Sequence, residues 1–157
     1  MKKLRIYLYT SVIGGCFDGE FKQWSNGLFE DFKQGLFIPV ISSITSFEIQ
    51  KGAPDPVKEK YLLLFDYNVE MIKHTKEADE LAEIYIKKEI VSENYLDDAL
   101  HIAIATVANV DVLVSWNFKH IVHLDKIRKF NIVHLEQGYK PLQIYSPREV
   151  TMYGKEI

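Results

Sequence analysis

The chain has a single cysteine, Cys16, and therefore cannot form an intrachain disulfide. This scarcity is typical of proteins from a reducing compartment. Long hydrophobic runs are missing too, because no stretch approaches the roughly 20 apolar residues that a membrane-spanning helix needs. Residues 1–9 are too short and too charged for a signal peptide. We therefore expect a cytoplasmic protein without a membrane partner.

The chain also lacks a strong excess of one charge. Its formal net charge is −3, which excludes a surface coated in positive charge. Residues 117–157 hold seven Lys and Arg against four Asp and Glu, a balance of +3, which leaves −6 for residues 1–116. A basic end of this kind is suited to phosphate groups, although a solvated face without a partner explains the charge equally well.

Apolar residues are plentiful enough for a core. Hydrophobic residues make up 47% of the 157 positions and charged residues 26%. This composition excludes wholesale disorder, and the length fits one domain over residues 1–157. Internal repeats and low-complexity tracts are not found in the sequence.

Strand-like and helix-like segments alternate along the chain. Short runs of aliphatic and aromatic residues predict strands at residues 4–9, 37–41, 111–116 and 142–145. Apolar residues at helical spacing and cap residues predict helices at 20–34, 43–52, from 55 onward, at 76–90 and at 97–108. This alternation is typical of an α/β protein with a mostly parallel sheet covered on both faces.

Three local signals refine this prediction. Gly14 and Gly15 indicate a loop after the first strand. Pro39 indicates an edge or a distortion in the second strand, because it has no N–H for a sheet ladder. Asn117 is placed to cap a further helix.

Polar residues stand where parallel strands end. Thr10 and Ser11 follow the first predicted strand, and Ser115 and Asn117 lie at the end of the 111–116 strand. Sites in open parallel sheets form beyond the carboxyl ends of the strands. Asp98 begins a helix, where a carboxylate suits the helix dipole. We expect these points to converge.

Carboxylate and amide oxygens in these segments are candidates for a divalent-metal site. Hard cations such as Mg²⁺ and Mn²⁺ select oxygen ligands. The candidates are Glu48, Asp97, Asp98 and Asn117. Structural explanations compete for each: the two aspartates serve a helix N-terminus, Glu48 is solvated, and Asn117 is a cap. His101 and His120 are interpreted as structural histidines by pattern alone, and Tyr9 as a packed aromatic.

Three segments resemble the motifs of the PIN-domain nucleases. "IYLYTSVI", residues 6–13, is similar to the opening strand and turn of that family, and "SSITSFEIQKG", residues 42–52, to its second motif. "DALHIAIATVANVDVLVSWNFKHIV", residues 98–122, is similar to the third motif helix, the next strand and the closing motif. Residues 54–92 match only as generic helices. The resemblance implies a three-layer α/β/α sandwich with a four- or five-stranded mostly parallel sheet.

The resemblance also implies a function: a metal-dependent endoribonuclease like the VapC-like toxins of toxin–antitoxin pairs. Glu48 and Asp98 match the metal-binding carboxylates, and Asp97 and Asn117 would assist through water. Mg²⁺ or Mn²⁺ would activate a water that attacks a phosphodiester.

Further residues and partners follow from the same resemblance. Ser11 and Ser115 match small hydroxyl residues that support the site. Lys119 and His120 are expected to contact RNA phosphate. The expected partners are an RNA substrate, a small antitoxin protein and a second copy of the chain in a homodimer.

Tyr9 departs from the family pattern, because it stands where PIN proteins normally have their first catalytic aspartate. A phenol has a pKa of about 10, so it is neutral at pH 7 and a poor Mg²⁺ ligand. Its ring is also large enough to fill the metal position. We therefore expect weak or absent metal binding and impaired activity, with the fold unaffected.

Two other functions remain open. One is a catalytically silent PIN module that binds RNA or a protein partner, which Tyr9 favours. The other is a flavodoxin-like or receiver-like regulatory domain. A receiver needs an acidic pair after its first strand and a phosphorylatable Asp at a strand end, and neither is visible in the sequence.

Overall fold

The structure is a computed structural model that describes residues 2–156. Five strands form one sheet in the order β3-β2-β1-β4-β5, and every neighbouring pair is parallel. The strands are β1 (Leu4–Leu8), β2 (Phe37–Ser42), β3 (Glu70–Ile72), β4 (Val112–Val114) and β5 (Gln143–Tyr145). The predicted α/β fold with a four- or five-stranded parallel sheet is therefore confirmed.

Helices connect these strands. The α-helices of the described residues are α1 (Thr10–Gly14), α2 (Lys22–Lys33), α3 (Ser43–Gly52), α4 (Asp55–Leu63), α5 (Lys76–Lys87), α6 (Leu96–Val107), α7 (Leu124–Glu136) and α8 (Pro147–Val150). Short 3₁₀ turns occupy Gly15–Phe17, Leu64–Asp66, Glu93–Tyr95 and Tyr153–Glu156. Within residues 2–156, no helix has the length and apolar character needed to cross a membrane.

The sheet carries a hydrophobic cluster on each face, as the alternation of side chains along a strand requires. On β1, Tyr7 belongs to the cluster shared with α5, α6 and α7, whereas Ile6 and Leu8 belong to the cluster shared with α2, α3 and α4. Helix α6 is the most buried helix segment here, with an unbroken buried run from Asp98 to Thr106. This agrees with the prediction from its apolar circumference and places Asp98 against the sheet.

Strand β3 was missed by the sequence prediction. It has only three residues, one of them charged, so it carries no periodic signal. Its pairing with β2 makes β2 an interior strand, and the edge assignment based on Pro39 is therefore wrong. Pairing with β3 begins at Val40, so Pro39 precedes the part of β2 that has neighbours on both sides.

Two other local predictions were wrong. Gly14 and Gly15 lie in α1 and in the turn after it, and not in a loop. A Cβ on Gly15 would lie 2.6 Å from Ser25 Oγ and 2.6 Å from Trp116 Nε1, so close packing explains this glycine. Asn117 caps a turn, because its Oδ1 accepts a hydrogen bond from the His120 backbone N–H, and the next helix begins only at Leu124.

Candidate functional site

Tyr9 stands at the point where β1 ends and α1 begins. Its backbone is extended (φ −70°, ψ 148°), and its N–H donates to the Val114 carbonyl at 3.0 Å, one residue beyond the β1 pairing with β4. The side chain is 8% exposed, and the phenol donates a hydrogen bond to Asp98 Oδ1. The strand-end geometry therefore directs the Tyr9 phenol to Asp98.

Glu48 reaches the same region from α3, which starts directly after β2. Its Oε1 accepts a hydrogen bond from Thr10 Oγ1 at 2.9 Å and lies 2.5 Å from His101 Nε2. Burial works to raise the pKa of this carboxyl group, but the hydrogen bonds from His101 and Thr10 and the nearby His101 charge outweigh it and leave the pKa below its usual value. Glu48 is therefore an ionised carboxylate at neutral pH, and its side chain is 26% exposed.

Helix α6 supplies Asp98 and His101, which are three residues apart and so share one helix face. Asp98 is 8% exposed, and burial raises the pKa of its carboxyl group against the opposing effects of His101 and His120. The two carboxyl groups, Glu48 and Asp98, therefore have pKa values displaced in opposite directions. Such divergence within one cluster is a feature of functional sites, although structural networks also produce it.

His101 links Glu48 to Tyr9, which in turn contacts Asp98. It is fully buried; its Nδ1 lies 2.6 Å from the Tyr7 hydroxyl, which in turn lies 2.7 Å from Ser42 Oγ. Nε2–H donates to Glu48, and the hydrogen between Nδ1 and the Tyr7 hydroxyl can belong to either atom. The ring centroids of His101 and Tyr9 are 4.3 Å apart. Sequence reasoning missed this linking position, although a histidine three residues after Asp98 in an otherwise apolar helix was a usable signal.

The loop after β4 closes one side of the site. Ser11 Oγ accepts the Trp116 N–H at 3.0 Å, and Ser115 Oγ accepts the Asn117 N–H at 3.0 Å. The first bond holds the loop against α1, and the second fixes the conformation of the loop itself. His120 follows on this loop, and its charge partly opposes the burial that raises the pKa of Asp98. The ring of His120 also packs on Tyr95, with centroids 4.3 Å apart.

The structure thus brings Tyr9, Glu48 and Asp98 into one cluster through direct contacts and through His101. Asp97 and Lys119 are exposed, and within residues 2–156 no hydrogen bond links either of them to that cluster. Asn117 uses its side-chain oxygen as a cap. The ligand and RNA-contact roles of these residues stay predictions.

The residues present do not fit a resident Mg²⁺ or Mn²⁺. The oxygens Glu48 Oε1 and Asp98 Oδ1 already accept hydrogen bonds from protein side chains. The third ligand position of the expected set holds a phenol. Across the described part of the chain, no group of three or more His, Cys, Asp and Glu is arranged to hold a metal ion.

Comparison with known proteins yields matches among solved structures. No family model matches the chain, and no curated protein does. A chain in the crystal structure of VapBC2 from Rickettsia felis, bound to a DNA fragment from its promoter, superposes with a TM-score of 0.56 and 18% identity, covering 90% of this chain and 97% of that one. VapC20 of Mycobacterium tuberculosis, described as a sarcin-ricin loop cleaving toxin, gives a TM-score of 0.52 and 10% identity, covering 73% and 92%.

These likenesses establish the fold. The chain has the PIN-domain, VapC-like fold that its three motifs indicated. At identities of 18% and 10%, the activities of the two neighbours remain statements about those proteins.

Proposed function

We propose that this chain is a PIN protein of the toxin–antitoxin type, built as an endoribonuclease, and that Tyr9 suppresses its cleavage activity. The proposal rests on one observation above all: the Tyr9 phenol is hydrogen-bonded to Asp98 while its ring packs on His101, the residue that holds Glu48. The aromatic side chain therefore contacts one of the two carboxylates that would form the cleavage site and packs against the histidine that binds the other.

The fold and the carboxylate pair support the nuclease half of this proposal. Ionised Glu48 and buried Asp98 are oxygen donors of the kind that Mg²⁺ and Mn²⁺ prefer. The likeness to VapC20 and to VapBC2 supports RNA as the substrate and a small antitoxin as the partner. A homodimer and a cytoplasmic location complete the proposal.

The substitution Tyr9→Asp tests this directly. It removes the ring and supplies a third carboxylate beside Asp98, which should allow a metal to bind and cleavage to begin. Total cellular RNA is incubated with Mg²⁺ or Mn²⁺ and with the unaltered chain, Tyr9→Asp, or Tyr9→Asp combined with Asp98→Asn. We expect cleavage with Tyr9→Asp and little or none with the other two proteins.

Two outcomes would change this conclusion. Efficient cleavage by the unaltered chain would refute the suppression by Tyr9. If Tyr9→Asp folds, binds metal and cuts nothing, the second candidate is preferred: a catalytically silent PIN module that binds RNA or a protein. That candidate is favoured by the hydrogen bonds that already engage Glu48 and Asp98.

A further inference from the structure

An aromatic cleft opens beside the loop that follows β4. Its volume is about 280 Å³, and the side chains that matter for its chemistry are Phe21, Trp24, Trp116, Phe118 and Arg148. Trp116 lies between Ser115 and Asn117, so the cleft and the candidate site share one loop. None of these five residues belongs to the carboxylate cluster.

The back of the cleft is held in place before any ligand arrives. The Trp116 ring stacks on Phe21 with centroids 4.1 Å apart and an interplanar angle of 13°. Its indole Nε1–H donates to Ser25 Oγ at 2.8 Å, and its backbone N–H donates to Ser11 Oγ at 3.0 Å. A preformed surface of this kind loses little conformational entropy when a ligand binds.

The front of the cleft is open. Phe118 is 47% exposed, and its ring centroid lies 6.1 Å from that of Trp116 and 6.4 Å from that of Phe21. This half-exposed ring can rotate or shift to cover a flat ligand. An aromatic side chain left in this state, next to two others, offers stacking area to a partner.

The charge at the cleft is mixed, with one cation at the aromatic surface. The Arg148 guanidinium lies 5.0 Å from the centre of the Trp24 ring. Glu149 also borders the cleft, but its carboxylate accepts the Ser146 N–H at 2.7 Å and the Ser146 hydroxyl, which directs it toward its own helix start. Glu20 also borders the cleft, and its carboxylate can accept hydrogen bonds from the amino and imino hydrogens of a base.

We infer that this cleft binds one unpaired nucleobase of an RNA strand that passes the candidate site. The inference deepens the proposed function and rests on it for the nature of the strand. Proteins bind single-stranded RNA by stacking its bases on aromatic and arginine side chains, with cations at the backbone. The cleft combines aromatic faces, an arginine and a carboxylate acceptor, a combination that suits a flat heterocycle joined to a phosphate. The position on the shared loop brings the adjoining nucleotide toward Asp98.

The chain contains a built-in reporter for this binding. It has only two tryptophans, and both Trp24 and Trp116 border the cleft. Intrinsic tryptophan fluorescence is therefore measured while a single-stranded oligoadenylate is added in EDTA, which prevents metal-dependent cleavage. We expect saturable quenching by the oligonucleotide and much weaker binding of an abasic strand of the same length. The affinity for adenosine monophosphate is measured in the same way, to distinguish a site for a base within a strand from a site for a free nucleotide. We expect the strand to bind more tightly than the nucleotide.

Matched variants test whether the Phe118 ring in the cleft, rather than any exposed phenylalanine, contributes to binding. Phe118→Ala should weaken oligoadenylate binding roughly tenfold or more, as loss of one base-stacking ring does elsewhere. Phe65→Ala is the control, because Phe65 is 50% exposed and lies on the turn after α4. It should leave the affinity unchanged. Circular dichroism confirms that both variants are folded.

Several results would overturn the inference: no fluorescence change with RNA, equal affinity for the abasic strand, or equal effects of Phe118→Ala and Phe65→Ala. Tighter binding of the free nucleotide than of the strand would indicate a nucleotide site and also reject an RNA strand. Failure here leaves the Tyr9→Asp cleavage test intact. Conversely, base-dependent binding together with an inactive Tyr9→Asp would retain the cleft and reject the nuclease proposal.

Discussion

Replacing Tyr9 by aspartate should make the stability of the protein depend on divalent metal. Tyr9 is 8% exposed and packs on His101, so Tyr9→Asp removes a buried ring and places a second carboxylate beside Asp98. Loss of a buried aromatic side chain costs about 3–5 kcal/mol of unfolding free energy, and repulsion between like charges adds to this cost. In EDTA the variant should therefore melt well below the unaltered chain.

Binding of a divalent metal should restore much of the unfolding free energy that Tyr9→Asp loses. A ligand that binds only the folded state at about 100 times its Kd stabilises that state by about 2.7 kcal/mol. For a domain of this size, each kcal/mol raises Tm by about 2–4 °C. We therefore expect Mn²⁺ to raise the Tm of Tyr9→Asp by about 5–11 °C. The unaltered chain, in which a phenol holds that position, should melt at the same temperature with and without metal.

Thermal melts followed by circular dichroism in EDTA, Mg²⁺ and Mn²⁺ give the comparison. Tyr9→Ala is the matched control, because it removes the ring without adding a carboxylate; it should lose stability and remain insensitive to metal. Tyr9→Asp combined with Asp98→Asn should lose most of the metal response. The reasoning is refuted if Mn²⁺ raises the Tm of the unaltered chain as much as that of Tyr9→Asp, or if Tyr9→Ala responds equally.

Two further predictions concern stability alone. Tyr9→Phe should lower the unfolding free energy by about 1.5–3 kcal/mol at pH 7, because buried Asp98 loses its phenol donor; a urea denaturation midpoint equal to that of the unaltered chain would contradict this. Burial lowers the pKa of His134 to about 4, below the unfolded value of about 6.5, so the unfolded state binds the proton first. This contribution to stability is complete above about pH 6.5 and is lost as the pH falls toward 4. Between pH 7 and pH 5 the unfolding free energy should fall by about 2 kcal/mol from this group alone. Urea denaturation curves at the two pH values measure this fall, and His134→Gln should abolish it.

Local patterns in the sequence were enough for most of the fold. The strand at residues 4–9 and the helix at 97–108 have strong apolar signals, and the structure has β1 at Leu4–Leu8 and α6 at Leu96–Val107. The start of α4 at Asp55 agrees with the Asp-Pro signal. Such features depend on neighbouring residues along the chain, so they can be read without tertiary information. The three motifs and their order then predicted the PIN-like architecture.

Short and packing-dependent features escaped these patterns. The three residues of β3 have no periodicity, and their strand conformation comes from pairing with β2. In the sequence Gly15 resembled a turn residue. In the structure a glycine is needed there because a Cβ would collide with the side chains of Ser25 and Trp116, which are not neighbours of Gly15 in the chain. Propensity cannot reveal a contact of that kind.

The candidate site divides in the same way. The sequence by itself determined which residues are candidates for the chemistry, namely Glu48 and Asp98 as carboxylates and Tyr9 as the departure from the pattern that the motifs resemble. Only the tertiary structure decided how they meet: Tyr9 donates to Asp98 across 89 residues of sequence, and His101 reaches Glu48 across 53. The physical reason is that chemical identity belongs to each residue, whereas hydrogen bonds and burial depend on distances that the parallel sheet and α6 establish between remote segments.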